Sequence, residues 1–97
     1  MNEKEKLINA LRELKPEIAV RYKVKEIGLF GSFVRGEQTT VSDVDLLVEF
    51  DDGADLFDLV ALGQFLEERL QRKVDLGTRR SLRPELREQV LKEMATL

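Results

Sequence analysis

Val24-Lys25-Glu26-Ile27-Gly28-Leu29-Phe30-Gly31-Ser32 and, after ten intervening residues, Asp43-Val44-Asp45-Leu46-Leu47-Val48-Glu49-Phe50 are the runs that decide how this chain folds. In the first, Val24, Ile27 and Leu29 are β-branched or apolar and Gly31 closes the run, so Val24 to Phe30 reads as a strand entering a glycine turn. In the second, Leu46, Leu47 and Val48 are consecutive. Val44 to Phe50 therefore reads as a strand buried on both faces.

Working outward, Leu7, Ile8, Leu11, Leu14 and Ile18 recur at helical spacing, with Asn2 and Glu5 spaced as a capping box. Pro16 is expected to break that helix and open a short second one running to about Tyr22. Downstream, Asp51-Asp52-Gly53 signals a turn and Asp55 is placed to cap a helix carrying the stripe Leu56, Leu59, Val60, Leu66 and Leu70. Lys73-Val74-Asp75-Leu76 is a short strand ended by Gly77. Pro84 opens a last helix whose Leu86, Val90, Leu91 and Met94 face one way. Strands separated by helical segments give an α/β (α+β) class: a small mixed central sheet of three or more strands, with helices mainly on one face.

The chain has 97 residues, 42% of them hydrophobic, and 16 basic against 19 acidic residues give a net charge of −3. A chain of this size buries roughly 60–68% of its unfolded surface, enough for one domain over residues 1–97. Cys and His are both absent. Disulfides, thiolate zinc sites, cysteine nucleophiles, Ser-His triads and imidazole bases are thereby excluded, and any metal must be held by oxygen ligands. The acidic balance argues against direct nucleic-acid binding. No run approaches the roughly 20 apolar residues of a membrane span, and the mixed-charge start lacks a signal-peptide core. The expectation is a cytoplasmic protein with no membrane association.

Charge is unevenly spread. Glu37 to Asp58 holds eight acidic residues and no basic one, whereas Arg69 to Leu97 holds eight basic and four acidic. Asp43 and Asp45, two apart at a strand entrance, leave the same face with Cα atoms roughly 6.5 Å apart. Two such carboxylates repel, and either water or a bound divalent cation relieves them. Gly31-Ser32 after a strand is either an ordinary turn or a phosphate-facing one with exposed amides. Arg35 either meets phosphate or ties its turn to a carboxylate. Ser42 either caps the turn before Asp43 or meets a nucleotide. The cluster Arg79, Arg80, Arg83 and Arg87 faces a triphosphate, an acidic partner or solvent.

Together, Gly31-Ser32-Phe33-Val34-Arg35-Gly36 followed by Ser42-Asp43-Val44-Asp45-Leu46-Leu47-Val48 resembles the signature of the polymerase-β superfamily of nucleotidyltransferases. The short length makes the chain similar to its minimal nucleotidyltransferases (MNT), many of which are antitoxins paired with a HEPN-domain ribonuclease toxin. The resemblance implies that Asp43, Asp45 and, on the later strand, Asp75 hold two Mg²⁺ ions. It also implies that Gly31 and Ser32 grip the β- and γ-phosphates of ATP, whose AMP passes to a tyrosine hydroxyl of a HEPN toxin; Arg35 and Ser42 are nucleotide-binding candidates beside them on their own residue chemistry. A binding module that neutralises its partner by complex formation alone is the alternative.

Overall fold

The two quoted runs form the centre of a four-stranded mixed sheet. Residues 2–39 and 41–97 are described by the computed structural model. They run α1 (Glu3–Arg21), β1 (Val24–Phe30), α2 (Ser32–Arg35), β2 (Val44–Phe50), α3 (Leu56–Leu70), β3 (Val74–Gly77), a 3-10 turn (Arg79–Ser81), α4 (Pro84–Glu93) and β4 (Ala95–Thr96). The strand order is β3-β2-β1-β4. β1 is antiparallel to β2 and to β4, whereas β2 and β3 are parallel, with α3 as the crossover that parallel neighbours require.

Alternation sorts the strand residues onto two faces. Val24, Ile27, Leu29, Val44, Leu46 and Val48 are buried on one, where Leu7, Leu11 and Ile18 of α1 and Leu62, Phe65 and Leu66 of α3 complete the core. Asp45, Leu47 and Glu49 point to the other. On that face Met94, which follows α4, lies so close to Gly28 that a Cβ there would fall 2.3 Å from its sulfur. A side chain at Gly28 would have to displace Met94, so the glycine is what lets this end of α4 sit so close to the sheet.

Local chemistry explains the helix starts. The Glu5 amide donates to Asn2 Oδ1 at 2.8 Å, and Asp55 and Asp58 exchange amide-to-carboxylate bonds of 3.1 and 3.0 Å at the start of α3. Pro16, however, does not break α1, which continues through it to Arg21. Proline removes one donor, the partner of the Arg12 carbonyl, but Pro16 is on the exposed side of the helix, where that carbonyl is open to solvent. Leu11, Leu14 and Ile18 hold the other side to the core.

Two stripe assignments also differ. Leu56 is 71% and Val60 53% exposed. At 100° per residue they sit well round α3 from Leu62, Phe65 and Leu66, so the periodicity marks the helix but includes residues off its inner face. Leu86 is 46% exposed, because α4 is held through its far end at Met94 rather than its opening turn. The strand β4, two residues long, carries no period that a sequence pattern reveals. Among the described residues no helix is long and apolar enough to cross a membrane.

Candidate active site

The β2–β3 register brings the acidic residues together. Asp45 pairs directly with Asp75 across the parallel strands. Their Cα atoms are therefore about one strand spacing, roughly 4.8 Å, apart on the same face. Asp43 lies two residues before Asp45, just ahead of β2, where the Val44 amide donates to the Lys73 carbonyl at 2.8 Å. The start of β3 is pinned by Glu67, whose carboxylate accepts from the Val74 amide at 2.9 Å. Asp43 and Asp75 are exposed and Asp45 is partly buried.

Gly31 closes the site from the β1 side. It has φ 79° and ψ −150°, a region that side chains avoid, and a Cβ there would fall 2.2 Å from Asp45 Oδ2. The Asp45 carboxylate thus rests directly on the glycine backbone. The Val34 and Arg35 amides return to the Gly31 carbonyl at 3.1 and 3.2 Å, making α2 a single turn that carries partly exposed Ser32.

Burial pushes the Asp45 carboxyl above its ordinary value, repulsion from Asp75 and then Asp43 adds to it, and Arg35 opposes the shift. Protonation is therefore easier in the fold than in the unfolded chain. Its contribution to stability is full below the ordinary carboxylate pKa and is lost as pH rises through the raised one. In chelator-containing buffer, the stability of the native chain relative to Asp45→Asn is expected to fall as pH rises from below the ordinary carboxylate range to above it. Urea unfolding at a series of pH values measures it, and a flat difference would contradict the burial of this group.

The remaining sequence candidates fall in different places. Arg35 pairs with Glu37 at 3.1 Å and with Glu93 at 3.5 Å, so in this structure its guanidinium ties α2 to α4 through carboxylates. Ser42 accepts from the Thr39 amide at 2.7 Å, closing the turn before Asp43. Arg79 and Arg80 line a cleft opposite Asp51 and Asp52. That cleft is at the other end of β2 from Asp43, roughly 20 Å of strand away. Arg87 turns back to the Leu82 carbonyl.

What the sequence reading missed is the wall beside Asp43. A cavity of about 410 Å³ is lined there by Val41, Ser42, Asp43, Gln71, Arg72 and Lys73. The signal was present, because Gln71-Arg72-Lys73 immediately precedes β3, but its relevance depends on β3 lying parallel beside β2.

The donor chemistry suits a hard divalent cation: all oxygen, mutually repelling, and including one partly desolvated carboxylate. Among the described residues, no group of three acidic side chains is drawn close enough to hold one ion as it stands.

Comparison with known proteins gives this geometry a family. Residues 5–97 match the nucleotidyltransferase domain. Protein adenylyltransferase MntA of Thermococcus cleftensis is 40% identical over 90 residues, covering 93% of this chain and 91% of that relative. A solved structure provisionally described as a minimal nucleotidyltransferase has a TM-score of 0.81 at 40% identity over 95% of this chain and 94% of its own. Another, of a tri-AMPylated Shewanella oneidensis HEPN toxin in complex with MNT antitoxin, matches with a TM-score of 0.57 at 30% identity over 96% of this chain and 66% of that one. With its sequence shared along nearly the whole length of the Thermococcus relative and its fold along nearly the whole of the minimal nucleotidyltransferase structure, the chain belongs to the nucleotidyltransferase domain family, in the minimal branch that includes protein adenylyltransferase MntA.

Proposed function

We propose that this chain is a protein adenylyltransferase that moves AMP from ATP to a tyrosine hydroxyl of a HEPN-domain toxin and so acts as its antitoxin. The observation that carries this reading is Asp45 set directly opposite Asp75, with Asp43 two residues before it and the Gly31 backbone against the Asp45 carboxylate. The AMPylated toxin of the Shewanella complex supports the direction of transfer.

Asp43, Asp45 and Asp75 would hold Mg²⁺, which supplies charge neutralisation for the triphosphate and a lowered pKa for the attacking hydroxyl. Gly31 and Ser32 offer backbone amides and a hydroxyl to the β- and γ-phosphates. The phenolic oxygen attacks the α-phosphorus, the bond to the β-phosphate oxygen breaks, and pyrophosphate leaves with that electron pair. Asp75, exposed on the edge strand, is open to an incoming hydroxyl and takes its proton. Because no imidazole is present, positioning and carboxylate chemistry carry the reaction.

The test is incubation of the chain with its cognate HEPN protein, ATP and Mg²⁺, followed by intact-mass measurement of the partner. A mass gain equal to AMP, lost on Tyr→Phe substitution of the acceptor, is expected. A partner neutralised without any mass gain would show the binding-only alternative to be correct.

A further inference from the structure

We infer that Arg72 is a positioning residue for the nucleotide, acting through Phe33 on the phosphate-facing turn; this rests on the nucleotidyltransferase reading of the site. α2 is brief. Ser32–Arg35 is one helical turn, and its one buried side chain is Phe33, 1% exposed. Where the Phe33 ring sits therefore sets the direction of the Gly31 and Ser32 amides. That ring is seated near Leu7 and Ala10 of α1, and the Arg72 guanidinium lies over it, 5.1 Å from the ring centre. Glu3 at the start of α1 holds the guanidinium at 3.0 Å.

Arg72 also lines the cavity beside Asp43. One side chain thus touches the ring that anchors the turn and the wall next to the first carboxylate. It follows Gln71, a non-glycine residue held at φ 55°, and precedes β3 by two residues. The backbone that aims Arg72 is consequently the same backbone that sets the start of β3 and, through it, Asp75. A comparable stack exists away from α2: Arg21 lies 5.2 Å from the Tyr22 ring and pairs with Glu17 at 2.8 Å. Neither residue of that pair belongs to α2 or lines the cavity that Phe33 and Arg72 share, so Arg21 serves as a control for the loss of a cation–ring contact as such.

The experiment compares Arg72→Ala, Arg72→Lys and Arg21→Ala with the native chain, by calorimetric titration of ATP with Mg²⁺ and of inorganic tripolyphosphate, and by amide exchange at residues 32–35. Arg72→Ala is expected to weaken both ligands about tenfold, the size of one cation–ring contact expressed as affinity. It is also expected to speed exchange of the Val34 and Arg35 amides and to raise KM for ATP while leaving kcat within about threefold of native. Arg72→Lys should recover part of the binding, and Arg21→Ala should bind like the native chain. Equal binding and equal exchange in Arg72→Ala would overturn the inference, as would a fall in kcat with KM unchanged. Failure of the native chain to bind ATP would overturn the nucleotidyltransferase reading itself, and this inference with it.

Discussion

Gly31→Ala is expected to abolish detectable adenylyl transfer and to destabilise the fold by about 1–3 kcal/mol, the usual cost of forcing a side chain into a backbone region reserved for glycine. Two independent effects act at the position. The φ of 79° with ψ −150° strains any L side chain, and the new methyl would fall 2.2 Å from Asp45 Oδ2. Relief requires the turn, the carboxylate or both to move, which separates the phosphate-facing amides from the acidic residues. The double variant Gly31→Ala/Asp45→Ala separates the two costs. Removing the carboxylate relieves the collision but not the backbone strain, so the double variant should regain part of the lost stability and none of the activity. Urea unfolding and intact-mass assay of the partner check both. A fully active Gly31→Ala would show that the Asp45–glycine contact is dispensable.

Asp45→Asn has the second large expected effect, with opposite signs for function and fold. Transfer should drop on the order of a thousandfold, in the range found when preorganised charge is removed from a reacting centre. Stability in chelator at neutral pH should rise, because the substitution removes a partly buried charge repelled by Asp75 and Asp43. Mg²⁺ should raise the melting temperature of the native chain and leave that of Asp45→Asn nearly unchanged. If Asp45→Asn is less stable than native at every pH, the carboxylate has a structural partner that this geometry does not contain.

Much of this arrangement was legible in the sequence for definite physical reasons. β1 and β2 begin and end where apolar runs meet glycine or acidic turns, because a strand buried on the inside leaves little freedom in residue type. Asp55 and Pro84 mark helix starts because orphan amides and a fixed φ have few solutions. Pro16 misled because its cost depends on which side of the helix it occupies, a property of the packed chain. Leu56 and Val60 misled because period alone cannot tell an inner face from an adjoining one. The pairing of Asp45 with Asp75 is a matter of register between strands separated by a whole helix, and Arg72 becomes relevant only once that register is set. The sequence supports the acidic residues as candidates, while their mutual placement belongs to tertiary structure.

The parallel pairing of β2 with β3 constrains how this chain can drift over evolutionary time. Insertions in the Asp51–Asp55 turn, which is exposed and precedes α3, leave the register of β3 intact because Glu67 and the Lys73 carbonyl lock the strand at its own start. A single-residue deletion between Glu67 and Val74 is a different event: it would turn Asp75 to the core face and bring Val74 or Leu76 to the acidic one. Lineages carrying this domain should therefore accumulate length variation before α3 and hold the spacing from Glu67 to Asp75 invariant.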